Sequence, residues 1–182
     1  AIDFKDHAEL LLNPELEGEL RYGEAEAYGV EFLARLNHEK LNGWISYTFS
    51  HTERTIQEIN FGKSYVAPYD KPHDVSIVLN YNINKRLTAS ANWVYSTGSP
   101  VTFPVGRFEQ NGEIVPVYSD RNAFRMPDNH RLDLAVTLQG KEKPGRKWQG
   151  EWNFSVYNAY ARKNAWAISF IEDEEKPGET YA

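Results

Sequence analysis

Residues 73–100 read HDVSIVLNYNINKRLTASANWVYSTGSP, and the alternation in this stretch decides how the rest of the chain is understood. Val75, Ile77, Leu79, Tyr81 and Ile83 are apolar at every second position, with Ser76, Asn80 and Asn82 between them. After Asn84-Lys85-Arg86 the rhythm resumes with Leu87, Ala89, Ala91, Trp93 and Tyr95, interleaved with Thr88, Ser90, Asn92 and Ser96. Successive side chains of a strand point to opposite faces. The pattern therefore predicts two antiparallel strands joined by a tight turn, each with one apolar and one polar face. The apolar faces must meet either a second protein layer or lipid.

Composition fits many strands of this two-faced kind. The chain has 182 residues, with eleven Tyr and five Trp, yet only 41% of it is hydrophobic and its mean hydropathy is -0.63. A net charge of -6 and a pI near 5.4 argue against nucleic acid as a partner, which would require a basic surface to displace counterions. There is no Cys, so disulfides, thiolate metal sites and thiol nucleophiles are excluded. No apolar run reaches the ~18 residues of a spanning helix, but a barrel strand needs only about 9–11 alternating residues. The opening AIDFKDHAEL has no basic segment followed by an apolar one. No signal peptide is expected within this sequence, and the chain is read as either cytosolic or an internal piece of a longer precursor.

Strand patterns recur along the chain. Residues 1–18 read as irregular, with Leu10-Leu11-Leu12 broken by Asn13-Pro14. Leu20 to Leu36 alternates, placing Tyr28, Val30, Phe32, Ala34 and Leu36 on one face and Ala27, Gly29, Glu31 and Arg35 on the other. Gly43 to Ser50 returns with Ile45, Tyr47 and Phe49 in apolar phase. A polar connection is expected at 51–72, and the longest one at 98–129, where Pro100, Pro104, Pro116 and Pro127 discourage regular structure and Asn111-Gly112 resembles a hairpin turn. Arg131 to Gln139 alternates again. Trp148 to Phe170 starts as a strand, with Trp152, Phe154 and Val156 opposite Glu151, Asn153 and Ser155. As one strand it would run about 75 Å at ~3.3 Å per residue, so it overshoots a bilayer or breaks near residues 160–164. The acidic tail IEDEEKPGETYA reads as loop.

The expected fold is all-β, an antiparallel up-and-down meander of six long strands. Its turns at 37–43, 84–86 and 140–147 are short and its connections at 51–72 and 98–129 long, so short turns fall at one end and long loops at the other. Outer-membrane barrels have this asymmetry. Aromatic placement agrees: Trp93 and Tyr95, with Tyr47 and Phe49, close the apolar faces at the long-loop end, and Tyr81 and Trp152 lie near the short turns. On this reading Leu79 and Leu134 face lipid, while Glu31, Asn80, Asn92, Asp133 and Glu151 face a lumen. The Asn84-Lys85-Arg86 turn is periplasmic and Ser96 to Pro100 marks the exit to the cell surface.

Six segments in order then carry a resemblance: Tyr28-Gly29-Val30-Glu31; Leu41 to Ser50 (LNGWISYTFS); Tyr69-Asp70-Lys71-Pro72-His73-Asp74; Tyr95-Ser96-Thr97-Gly98-Ser99-Pro100; His130-Arg131-Leu132-Asp133-Leu134; and Ser155-Val156-Tyr157-Asn158-Ala159-Tyr160. Together they resemble the C-terminal part of the barrel of TonB-dependent outer-membrane receptors, in the form common in Bacteroidetes. The resemblance implies a transmembrane barrel of 22 strands filled by an N-terminal plug. It also implies uptake of a scarce small nutrient, such as a metal chelate, cobalamin, a glycan or a peptide, driven through the TonB complex. Residues 1–182 would then be a single partial domain of late strands in the outer membrane of a Gram-negative bacterium, with plug, TonB box and last strand outside the sequence. The partners implied are outer-membrane lipid, TonB and a surface lipoprotein. The competing readings are a soluble secreted β-sandwich or carbohydrate-binding module, and a passive porin.

No cofactor, metal site or enzymatic centre is expected. Asp70, His73 and Asp74, like Asp128, His130 and Asp133, carry metal-ligand chemistry, but adjacent strand residues diverge, so hydrogen bonds at loop–strand junctions are expected of them. Glu31, Asp133 and Glu151 suit a polar lumen better than a glycosidase pair, and Ser46, Ser50 and Ser155 lack a nucleophile-elbow context. Arg107, Tyr118, Asp120, Arg121 and Phe124 in the longest loop are the candidates for touching ligand. The readings differ in one place: a sandwich buries Leu79, Trp93 and Val136 between two layers, whereas a barrel wall leaves that face without a protein partner.

Overall fold

The computed structural model describes residues 2–10, 20–110, 113–142, 144–145, 147–168, 171–172 and 180–181. Its strands are β1 (Ile2–Leu10), β2 (Leu20–Asn37), β3 (Leu41–Thr55), β4 (Tyr65–Val66), β5 (His73–Asn82), β6 (Leu87–Ser96), β7 (Pro100–Val101), β8 (Pro104–Gln110), β9 (Glu113–Tyr118), β10 (Phe124–Arg125), β11 (Asn129–Gln139), β12 (Glu151–Val156), β13 (Ile171–Glu172) and β14 (Thr180–Tyr181). One sheet runs β1-β2-β3-β5-β6-β11-β12, with β4 added beside β3. Every pairing in it is antiparallel. The protein is thus an all-β antiparallel meander.

Register locks the two faces. Ile45, Ile77, Trp93 and Leu132 lie directly opposite one another along one row, and Gly43, Leu79, Ala91, Leu134 and Val156 along the next. Phe32, Tyr47, Val75, Tyr95 and His130 form the row on the other side. Since directly opposite residues share a face, the apolar phases of β2, β3, β5, β6, β11 and β12 merge into one surface. The opposite face carries Glu31, Asn80, Asn92, Asp133 and Glu151, set against Thr48, Ser90, Val78 and Gln139 among others. Leu33, Trp44, Val78 and Val94 also lie on this second face, so it is not uniformly polar.

Short turns join the strands at one end. Asn84 shapes the β5–β6 turn by accepting the amides of Arg86 and Leu87 on its side-chain oxygen, at 2.9 and 3.0 Å, the local bonding that makes Asn a turn former. Neighbouring turns are tied together: the Arg86 Nε donates to the Gln139 carbonyl at 2.7 Å and the Asn82 amide to the Lys40 carbonyl at 2.7 Å. At the other end, two long connections fold over the strand ends. The buried cluster of Ile56, Ile59 and Tyr65 lies there, with Ala25 and Ala67 also buried.

Five sequence expectations need correction. Residues 2–10 are not irregular: they form β1 against residues 20–27 of β2, whose 18-residue length leaves backbone groups for another strand to satisfy. Residues 11–18 lie outside the described ones. The 51–72 connection starts later than expected because β3 continues to Thr55, and Tyr65–Val66 returns to pair with Glu53 and Arg54. The 98–129 connection is ordered despite its prolines, as two small ribbons, β7 with β10 and β8 with β9; its Asn111-Gly112 turn lies outside the described residues. The strand after Trp148 breaks earlier than expected, at Val156, because Asn158 takes a positive φ of 54° while its amide donates to Asp133 Oδ1 at 2.9 Å. Of the expected tail loop, Ile171 and Glu172 pair with Tyr181 and Thr180.

A close approach at Gly43 tests the register directly. A Cβ there would lie 2.1 Å from the Val78 carbonyl oxygen of the paired strand. Gly43→Val is expected to destabilise the protein by about 1–3 kcal/mol through this overpacking, read as a lower denaturation midpoint. An unchanged midpoint would mean that β3 and β5 do not pair in this register.

Candidate functional site

The polar face changes character along its length. Near the short turns its side chains bond to one another: Asn80 Nδ2 donates to Asn42 Oδ1 at 3.3 Å, the Ser90 hydroxyl to Asn80 Oδ1 at 2.7 Å, and the Thr88 hydroxyl to Asn82 Oδ1 at 3.0 Å. Asn153 Nδ2 donates to the Thr137 hydroxyl at 2.8 Å. Near the long loops, Glu31, Thr48, Asp74, Ser96 and Asn129 stand opposite one another across five strands, and no side-chain bond joins them among the described residues. Part of this row opens into a cleft of about 430 Å³, lined also by Ser76, Arg131, Tyr157 and Asn164.

One wall of the cleft is fixed by charge. Arg131 Nε donates to both carboxylate oxygens of Asp133 at 3.0 Å, its Nη1 donates to the Tyr157 hydroxyl, and its guanidinium carbon sits 4.2 Å from the Tyr157 ring centroid. Asn164 closes the side by donating to the His130 carbonyl at 3.0 Å and accepting its amide at 3.1 Å.

The two long connections, at the same end of the sheet, are bound to each other through a buried carboxylate. Asp70, whose side chain is fully buried, pairs with Arg125 and accepts the Thr52 amide at 2.7 Å. Arg125 Nη1 also donates to the carbonyls of Asp70, at 2.9 Å, and Gly98, at 3.2 Å. His51 lies between Asp70, at 3.5 Å, and Glu53, at 2.9 Å. Two asparagines at positive φ, Asn60 at 51° and Asn122 at 58°, add a second clasp, a conformation Asn tolerates better than most residues. Asn60 Oδ1 accepts the Arg121 amide at 2.8 Å, and Asn122 Nδ2 donates to the Val66 carbonyl at 2.8 Å. At the strand junction, the Tyr95 hydroxyl, at 2.7 Å, and the Gly98 amide, at 3.0 Å, both donate to Asp128. These two donors, the Tyr95 hydroxyl first, hold the Asp128 carboxyl below its ordinary value.

The five loop residues expected to contact ligand do not form one group. Arg107 and Tyr118 lie on the β8–β9 ribbon, with Tyr118 exposed. Asp120 is exposed beside them, while the backbone of Arg121 is held by Asn60 and Phe124 stacks on Phe103 at 5.1 Å between centroids. Arg121 and Phe124 therefore build the loop assembly. The two suggested metal triads also separate. Asp70 is buried, His73 bonds Tyr47 on the apolar face at 2.9 Å, and Asp74 points to the polar face. Asp128, His130 and Asp133 bond respectively to Tyr95, Tyr160 and Arg131. Sequence reasoning missed Arg125, Asn60 and Asn122, whose partners lie 55 to 61 residues away, and it missed Asn129 with Tyr157 as parts of a cleft. Comparison with protein-family models, curated proteins and solved structures finds no match to this chain.

Two predictions follow from these loop contacts. Arg125→Met leaves Asp70 buried without its cation and is expected to cost on the order of 3–5 kcal/mol, with faster limited proteolysis within 56–72 and 98–128; equal proteolysis would rule out the clasp. Asp128 contributes pH-dependent stability whose sign follows from its lowered folded-state value. The contribution is complete above the unfolded aspartate value near ~4 and is lost as pH falls through the folded value below it. Melting temperatures measured across that acid range should fall more steeply for the parent protein than for Asp128→Asn, and parallel curves would refute the linkage.

Proposed function

We propose that this chain is part of the wall of an outer-membrane β-barrel of the TonB-dependent kind, working in active nutrient uptake rather than catalysis. The observation that carries the reading is the uncovered apolar face. Val30, Phe32, Trp152 and Phe154 are 68%, 58%, 67% and 66% exposed, and Leu79, Leu134 and Val136 in the middle of the face are 37%, 43% and 41% exposed. A two-layer sandwich would bury these residues against a second sheet about 10 Å away, and no described residue supplies that sheet.

The dimensions favour lipid as the covering. From Leu87 to Tyr95 the face runs about 26 Å along the strand, and its six strands span about 24 Å, on the order of 600 Å². A contiguous apolar surface of that size marks a protein or membrane interface. At a strand tilt of 35–45°, the band stands about 20 Å high, close to the ~25 Å apolar belt of outer-membrane barrels. Its loop end carries amphipathic rings in contact: Tyr28 with Phe49 at 6.3 Å, Tyr47 with His73 at 6.1 Å, and Trp93 with Tyr95 at 6.1 Å. Rings with a polar edge suit the headgroup level. TonB coupling and a surface lipoprotein partner follow from the sequence resemblance.

Three measurements test the reading. The full-length protein is expected in the outer-membrane fraction with heat-modifiable mobility, and its recovery as a soluble protein would overturn the proposal. Leu79→Arg or Leu134→Arg should cost about 2–4 kcal/mol of folding in vesicles, while Asn92→Arg on the opposite face costs much less. Equal costs on both faces would remove the lipid assignment. Nutrient uptake that persists without TonB would favour a passive porin instead.

A further inference from the structure

We propose that the turn end of the sheet holds an anionic phospholipid headgroup, with its phosphate between Lys40 and Lys85. The inference rests on the barrel reading, which sets the apolar face in lipid and leaves the headgroup chemistry open. In a chain of net charge -6, the three short turns at 37–43, 84–86 and 140–147 carry seven Lys and Arg against two Glu. Cations therefore gather at this one end, where the apolar face also ends. Tyr81 and Ile83 there are both 47% exposed, and Trp152 and Trp148 are 67% and 88% exposed. Aromatic rings and basic side chains at the border of an apolar face are the mark of a membrane interface.

Between the first two turns lies a cleft of about 690 Å³, lined by Lys40, Lys85, Asn82 and Asn84, with Glu39 as its one carboxylate. Both lysines are exposed, and neither ammonium group has an ion-pair partner among the described residues. The Asn84 oxygen is taken by the Arg86 and Leu87 amides, and the Asn82 oxygen by the Thr88 hydroxyl. Their NH2 groups are left as donors, so the cleft offers chiefly hydrogen-bond donors and positive charge. An anion is what such a set receives. The two turns stand two strand spacings apart, about 10 Å, and the Asn82 amide donates across to the Lys40 carbonyl at 2.7 Å. The walls are thus fixed before a ligand arrives, and two lysine side chains close on one phosphate from either side. Ile83 continues the apolar phase of β5 and lines the same cleft, so an occupant with a charged head and an acyl chain meets both of its chemistries here. A zwitterionic headgroup would bring its own cation toward the lysines, and a free phosphate would leave Ile83 uncovered.

The experiment uses the full-length protein in detergent micelles. Its affinities for phosphatidylglycerol and for phosphatidylcholine of the same acyl chains are read by mass spectrometry of the intact complex. Phosphatidylglycerol is expected to bind the more tightly, and Lys40→Gln or Lys85→Gln to weaken it about fivefold each. Lys40→Arg with Lys85→Arg should keep the preference, and Lys141→Gln with Lys147→Gln, on the third turn, should change it much less. Heat-modifiable mobility checks that each variant folds. Equal affinity for the two lipids, a preference indifferent to Lys40 and Lys85, or an equal loss from the third turn overturns the site. So does displacement of the lipid by equimolar inorganic phosphate or by oligoaspartate, which would mark the cleft as a site for a free anion or an acidic protein. The two readings fail separately. An outer-membrane protein without the lipid preference loses the headgroup site alone, whereas a soluble protein that sediments with phosphatidylglycerol vesicles through Lys40 and Lys85 loses the barrel and keeps the site.

Discussion

Strict antiparallel register is the constraint on which the rest of this structure depends. Residues along each strand alternate between faces, so a slip of one position in any pairing would move a whole apolar set to the polar side. From β2 to β12 the pairings keep phase in every strand of the meander. Trp93 therefore meets Ile77 and Leu132, while Asn92 meets Val78 and Asp133. One face accumulates exposed Val, Leu, Phe and Trp and the other Asn, Ser, Thr and Asp. Neither could arise from a single strand. A strand contributes half of each surface, and register sums them.

The same constraint explains why the central fold was legible in the sequence. Val75 to Ile83 and Leu87 to Tyr95 state their faces by alternation alone, and the seven residues placed on the apolar side (Tyr47, Leu79, Tyr81, Trp93, Tyr95, Leu134 and Trp152) share one face. Glu31, Asn80, Asn92, Asp133 and Glu151 share the other. Legibility failed where pairing is decided by something other than alternation. β1 contains Asp3, Lys5 and Asp6 without a clear period, and forms because the long β2 offers it a partner. The break after Val156 depends on an amide of Asn158 finding Asp133 on the neighbouring strand, a tertiary contact that no local pattern announces.

The loops show the limit most clearly. Pro100, Pro104 and Pro116 correctly exclude a long strand, yet they do not exclude the small ribbons that form between them, since proline is tolerated at strand ends and edges. Asp70 is expected from sequence to make hydrogen bonds at a loop–strand junction, but no local pattern shows that it is buried. Its burial is tolerable because Arg125, the Thr52 amide and His51 surround it, and a buried carboxylate without such partners would be costly. His51 and Thr52 come from β3 and Arg125 from the second connection, 55 residues beyond Asp70, so the site becomes visible only once the meander has brought the two connections to the same end.

That coupling gives the loop end a physical character distinct from the turn end. Along the turn end, polar side chains satisfy one another and stiffen the wall. Near the loops, the row from Glu31 to Asn129 has no bonds within itself, and the two connections are clasped through Asp70 and Asn60. Loops clasped to one another lose less conformational entropy on meeting a partner than free loops would, so fewer contacts suffice for useful affinity. Mobile loops would lose much of that gain to their own ordering. The buried ion pair is therefore more than a stability element: Arg125 holds Asp70 and the Gly98 carbonyl together, so it fastens the second connection to the first just beyond the end of β6.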